Sequence, residues 1–406
     1  MGMEKRNWFA LIILATISIT YFVENFLRTA ASALTPVLIV ELGINKGTMG
    51  LLISAYFLIY GLMQIPAGIF TDLMGPRKTI LVFTMLTVIG VFLFLLSYSL
   101  ELLYVAQFTI GIGCSVFYIN AISVITKWFP AERKATAIGI LSASSGLGNF
   151  TSYMGFPLAN QLFGGWRNLY FIVALILVAN YAMNFFILRD SPNGNGGIHP
   201  QTRKNILSGF AGVMRDRRIY PFLIGYILLS FSWVFMIWMP QFLVDDKGYS
   251  YIDAGVISSV GTIAGIPGCI AMGAISDKLR KRKLPLITFA SLYVVLLGAF
   301  LYSPPGIHVF VYATLSAMIS FCMSIWVLFF SMIPEILPLE KASLGLGVLN
   351  GFGTIGFSLV TPIYGTLIDS TGGFWISNFL VLGIGLAMTA ILILFTKETY
   401  GLKNQA

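Results

Sequence analysis

Charge is what this chain has least of. Only 10% of its 406 residues are Asp, Glu, Lys or Arg, against 57% hydrophobic residues and a mean hydropathy of +0.86. A water-soluble domain of this length needs a largely polar exterior, and too few polar side chains are available to build one. The reactive side chains are equally sparse. His199 and His308 are the two histidines, and neither belongs to a metal-ligand cluster. Cys114, Cys269 and Cys322 all fall within apolar runs and suggest packing rather than a disulfide framework. There is no Gly-x-x-x-x-Gly-Lys nucleotide loop and no grouping of His, Asp and Ser that would make a hydrolytic site. An intramembrane enzyme is therefore disfavoured, and neither cofactor nor metal is expected.

What fills the chain instead is a succession of apolar runs of about 20 residues, each long enough to cross a bilayer as a helix. Helices satisfy their own backbone donors and acceptors in hydrocarbon. The sequence is thus expected to be an all-α membrane protein with about twelve transmembrane helices. Their approximate limits are 8–39, 46–70, 79–99, 102–126, 135–160, 167–188, 219–243, 252–275, 284–303, 307–333, 342–367 and 373–395. The first run is too long for a signal-peptide core and lacks a convincing cleavage site, so it counts as a span.

The net charge of +9 reports topology rather than nucleic-acid binding. Of the 25 basic residues, all but Arg28, Lys46, Arg167 and Lys247 fall on one side of the spans. That bias places both termini in the cytoplasm, with the cell membrane as the expected location. The lipid bilayer is one partner; nucleic acid is not, and a functional monomer is expected.

The stretch RDSPNGNGGIHPQTRKN marks a polar connection near mid-chain. It divides the sequence into an N-terminal six-helix bundle (1–188), a cytoplasmic linker (189–218) and a C-terminal six-helix bundle (219–406). The halves echo one another. GIFTDLMGPRK (68–78) follows span two and GAISDKLRKRK (273–283) follows span eight, each with Gly-x-x-x-Asp and then basic residues. Pro36 and Gly50 correspond to Pro240 and Gly255, and AERKATAIGI (131–140) to LEKASLGLGV (339–348). Repeats in this order point to two pseudo-symmetric bundles with a transport pathway between them.

Twelve spans, a central loop and GIFTDLMGPRK between spans two and three resemble the major facilitator superfamily of secondary transporters. Gly68, Asp72, Gly75, Arg77 and Lys78 match the family's loop signature, while Leu73 stands where an Arg is usual. SAYFLIYGLMQIPAGIFTDLMGPRK and KWFPAERKATAIGI are most similar to the organic-anion and organophosphate branches. The resemblance implies a cytoplasmic gate in which Asp72 pairs with the basic residues and faces a neighbouring helix N-terminus. Asp277, Arg280 and Arg282 are expected to repeat it. The glycines of GILSASSGLGNFTSYMGFP (139–157), and those from Gly345 to Gly356, are read as close packing between helices.

The costly charges lie in span one, in YFVENFLRTAASALTP. Helical spacing aligns Tyr21, Glu24, Arg28 and Ser32, with Asn25 adjacent. A charge at mid-membrane costs roughly 2.5–3.5 kcal/mol on insertion scales, and an apolar pair would avoid it. Arg28 is therefore expected to anchor an anion, since its forked donors can hold a carboxylate. Glu24 would position Arg28, take up a proton or meet the amine of a zwitterion. Further candidate cavity residues are Tyr56, Tyr60, Gln64, Gln107, Tyr118, Asn120, Trp233, Trp238, Trp326 and Asn350. The repeat places Ser232 opposite Arg28, where the organophosphate resemblance implies a second Arg, so a carboxylate or zwitterion suits the chain better than a phosphate ester. The expected function is secondary active transport of a small organic anion or zwitterion by alternating access, with protons as co-substrate in a symport. A drug/proton antiporter and a non-transporting sensor on the same fold are the alternatives.

Overall fold

The computed structural model describes residues 3–191 and 210–400. His199 and most of the 189–218 connection lie outside the described residues. The first half runs α1 (Met3–Ala33), α2 (Thr35–Leu42), α3 (Lys46–Met74), α4 (Pro76–Leu95), α5 (Leu100–Cys114), α6 (Phe117–Trp128), α7 (Ala131–Phe163) and α8 (Trp166–Ile187). After a 3-10 turn (Arg217–Ile219) come α9 (Tyr220–Asp245), α10 (Tyr251–Leu279), α11 (Lys283–Tyr302), α12 (Val309–Met323), α13 (Trp326–Ile336), α14 (Leu339–Thr371) and α15 (Trp375–Phe395). Among the described residues there are no strands.

Local chemistry sets the ends of these helices. Ser99 accepts from the Leu102 N–H and Ser250 from the Asp253 N–H, capping α5 and α10. Pro36 lies just inside α2, where its missing N–H is tolerated, and the chain breaks between α1 and α2 immediately before it. Gly75 turns the chain into α4 at φ 78° and ψ 158°, a conformation essentially reserved for glycine.

Among the described residues, eleven stretches are long and apolar enough to cross a membrane, with α5–α6 and α12–α13 each forming one. The remaining expected span, 135–160, is the 33-residue helix α7, which falls outside that set. Its Ser, Asn and Gly residues lower its hydropathy but let it approach α1 closely. A Cβ at Gly148 would lie 2.3 Å from the Phe22 carbonyl oxygen. Asn25 accepts from Ser145 at 2.8 Å, and the Ser32 and Tyr153 hydroxyls lie 3.0 Å apart. A second polar seam joins α1 to α8, where the Asn180 amide donates to the Thr16 carbonyl and the Asn184 amide to the Thr20 hydroxyl.

The chain divides into two compact units, residues 1–34 with 55–201 and residues 35–54 with 202–406. The second unit thus takes in a piece of the first sequence half. Small residues make this possible: Gly47 and Gly50 sit on α14 so closely that a Cβ would meet Thr366 and Pro362, each at 2.6 Å. Ser54 donates to the Ser358 carbonyl, the Asp369 carboxylate accepts from the Gly47 N–H at 2.7 Å, and Lys46 pairs with Asp245 at 2.9 Å.

Candidate functional site

In the first unit the span-one residues meet aromatic side chains from α3 and α6. Arg28 is half-buried, its guanidinium carbon 5.4 Å from the Phe57 ring centre and 5.6 Å from that of Tyr60. Aromatic faces attract a cation through the ring quadrupole, and a planar guanidinium stacks on them. Tyr60 in turn stacks on the buried Tyr56 at 5.9 Å. One turn before Arg28 lies Glu24, 3% exposed, with one carboxyl oxygen that accepts no hydrogen bond among the described residues. Tyr21, Tyr56 and Tyr60 all lie within electrostatic reach of both charges. Tyr21 stacks on Phe117 at 6.0 Å and on Tyr118 at 5.4 Å. A carboxyl group and a guanidinium thus lie beside a cluster of phenols on one unit, chemistry suited to an anion that also offers hydroxyls or an apolar body.

The other candidates take different places. Gln64 spans a break in a helix: α5 stops at Cys114, α6 starts at Phe117, and the Gln64 amide donates to the Ser115 carbonyl at 3.3 Å. Gln107 and Asn120, on either side of that break, are buried, and each keeps a side-chain oxygen without a donor among the described residues. In the second unit Trp238 is fully buried and its indole N–H donates to the Thr361 carbonyl at 3.3 Å, which makes it a packing residue in this structure. Trp233 is exposed, Asn350 half-buried, and Trp326 meets Phe330 edge-on. Ser232, the repeat counterpart of Arg28, is buried with its hydroxyl 2.6 Å from that of Tyr293.

At the loop signature, Gly68 lies in α3 and the side chain of Asp72 lies outside the described residues. The Arg77 N–H donates to Asp190 at 2.7 Å and its guanidinium to the Phe185 carbonyl at 2.8 Å, while Lys78 is exposed. In the second copy Arg282 pairs with Asp277 at 2.6 Å and with Glu335 at 3.0 Å. Arg280, expected beside Asp277 in the gate, instead ends α10 in the left-handed conformation (φ 50°) and is exposed.

Three features of these regions are set by contacts between distant parts of the sequence. Tyr153 meets span one through Ser32. Asp190 and Glu398 cap α4 and α11 through backbone N–H groups, including those of Arg77, Arg282 and Lys283. A basic–acidic doublet just after the last span of each half, Arg189–Asp190 and Lys397–Glu398, was the available signal. Finally, α12 breaks before α13 at Ser324–Ile325, matching the break at Ser115–Val116. CSVF and MSIW carry both breaks.

Helical halves with matched breaks and repeated loops suit a membrane transporter, and the comparisons agree. The family model for the Major Facilitator Superfamily matches residues 17–356. The chain belongs to that family: it is a multi-pass integral membrane transporter and not an enzyme. It is 26% identical to a probable sulfoacetate transporter of Cupriavidus necator, with 97% of this chain and 95% of the relative covered. It is 24% identical to a probable galactarate/D-glucarate transporter of Escherichia coli, covering 91% of this chain and 89% of the relative. The nucleoside transporter NupG has the same fold, with a TM-score of 0.79 at 13% identity, covering 95% of this chain and all of NupG.

Proposed function

We propose that this transporter carries a small organic acid or zwitterion, anchored by a carboxylate on Arg28. The observation that carries the proposal is the setting of Arg28: a half-buried guanidinium in a membrane span, steadied by Phe57 and Tyr60 and one turn from a buried carboxyl group. The relatives named for sulfoacetate and for galactarate and glucarate support the same class, since each of those compounds carries a carboxylate. Glu24 is the group we assign to proton uptake. When cargo takes the donors of Arg28, the nearby carboxyl loses electrostatic support for its charge and gains a proton, coupling uptake of the two.

The test is a thermal-shift screen of purified protein against carboxylates, sugar acids, amino acids and dipeptides, repeated with Arg28→Ala. A charge-assisted hydrogen bond contributes about 1.5–3 kcal/mol, so the variant should bind the hit about tenfold or more weakly. A ligand that stabilises both proteins equally removes Arg28 from the site. In proteoliposomes, cargo should alkalinise the outside and Glu24→Gln should abolish that signal. Transport by the wild type without proton movement rules out symport.

Alternating access is the motion we assign to the same carrier, with release of the first turns of α3 from α14 opening the side opposite the basic loops. A cysteine pair at Gly47→Cys and Thr366→Cys, oxidised, should stop transport, and reduction should restore it. Unchanged transport in the verified disulfide form excludes this step.

A further inference from the structure

On the basic-loop side of the second unit, a cavity of about 470 Å³ opens between the start of α9 and the end of α15. Arg217, Tyr220, Pro221, Ile224, Ile391 and Phe395 line it. Ile224 and Phe395 are 44% and 63% exposed, so the walls belong to a surface that meets the bilayer. Tyr220 to Ile224 and Ile391 to Phe395 each make one helical turn, giving a short apolar trough. Its head is cationic. Arg218 is held in a two-point pair with Asp216, at 2.9 and 2.7 Å, whereas Arg217 has no ion-pair partner among the described residues and Arg215 is exposed beside it. The Tyr220 hydroxyl closes the turn by donating to the Met214 carbonyl at 2.8 Å.

We propose that this trough is a binding site for one anionic glycerophospholipid of the leaflet facing the basic loops. Its phosphate sits on Arg217 and the first carbons of an acyl chain lie between Tyr220, Ile224, Ile391 and Phe395. Charge decides the occupant. A zwitterionic lipid brings its own cation to the phosphate, while an anionic one leaves it to Arg217. Basic residues at a membrane surface favour anionic lipid, and pockets between spans that pair such a residue with apolar walls hold lipid headgroups. Neither Arg28 nor Glu24 lines the trough, so the site is a lipid contact and not the cargo site proposed above.

The test is native mass spectrometry of the full chain released from nanodiscs of phosphatidylglycerol or phosphatidylcholine, with thermal unfolding to confirm that each variant is folded. Wild type should retain one phosphatidylglycerol and no phosphatidylcholine. Arg217→Ala should weaken retention about fivefold, the effect of one basic residue near the surface, and Arg217→Lys should restore most of it. Ile224→Trp, which fills the trough and leaves Arg217 in place, should also lose the lipid. Arg133→Ala, at the basic-loop end of α7, should retain it. Equal retention of both lipids by wild type, or wild-type retention by both Arg217→Ala and Ile224→Trp, overturns the proposal. So does an equal loss in Arg133→Ala, which would mean that any surface charge suffices.

Discussion

The two copies of the repeated loop share a sequence pattern, and among the described residues they make different bonds. In the first, Gly75 makes the turn, Arg77 reaches the Phe185 carbonyl, and Asp190 caps α4. In the second, Arg280 takes the turn, and Arg282 binds Asp277, Glu335 and the Ser276 hydroxyl, while Glu398 caps α11. The Thr399 hydroxyl extends that network by donating to Glu335. The acidic cap and the basic residue at the helix start are common to both. Among the described residues, the second copy adds an ion network within its own unit that ties α10, α13 and the C-terminal segment together.

The largest expected effect tests that tie. Arg282 and Glu335 side chains are 13% and 19% exposed, and removing one partner strands the other charge out of water. Arg282→Ala should cost about 2 kcal/mol, reduced from the fully buried case by the exposure of Asp277. Arg77→Ala should cost less, near 1 kcal/mol, the order of a single charged hydrogen bond. Thermal unfolding of the two variants in detergent checks the ranking. If Arg77→Ala is the more damaging, the second copy is not the stronger tie.

Much of this architecture was legible in the sequence because the signals were strong and local. Runs of apolar residues marked the spans, basic residues marked one set of loops, and Arg28 stood out against its surroundings. Helix α7 was legible as an apolar run interrupted by Ser, Gly and Asn, yet its apolarity alone is too low to identify it, since those residues serve contacts with α1. What was hidden depends on partners distant in the chain. Nothing near Gly47 says that α14 covers it, and nothing in QIPAG says that Gln64 will meet the carbonyl freed at a helix break. The basic residues of the second loop looked equivalent, but a left-handed turn at Arg280 sends only Arg282 toward Asp277.

A middle-sized effect follows from the turns themselves. Gly75 has ψ 158° at positive φ, which a side chain resists, whereas Arg280 has φ 50° and ψ 38°, the left-handed helical region open to an L-residue at a smaller cost. Gly75→Ala should therefore destabilise by about 1.5 kcal/mol. Arg280→Gly should act in the opposite direction and stabilise by about 1 kcal/mol, because glycine removes the left-handed penalty. Opposite signs in thermal unfolding sharpen the comparison. A shared sign would mean that the two turns are governed by something other than backbone conformation.

The smallest effect lies in the acidic cap and reads out through pH. Partial burial works to raise the Glu398 carboxyl, but the backbone N–H groups of Arg282, Tyr400, Lys283 and Thr399 outweigh it and hold the group below the ordinary carboxylate value of 4.5. A depressed folded-state value stabilises the protein above the unfolded value, and that contribution is lost as pH falls through the folded one. Glu398→Gln should therefore unfold at a lower temperature than wild type at pH 7, and the gap should narrow as the pH drops below about 4.5. Because Glu398 is exposed, the gap should be smaller than that caused by Arg282→Ala. A gap that stays constant from pH 7 to pH 4 would mean that the shape of the side chain, and not its charge, caps α11.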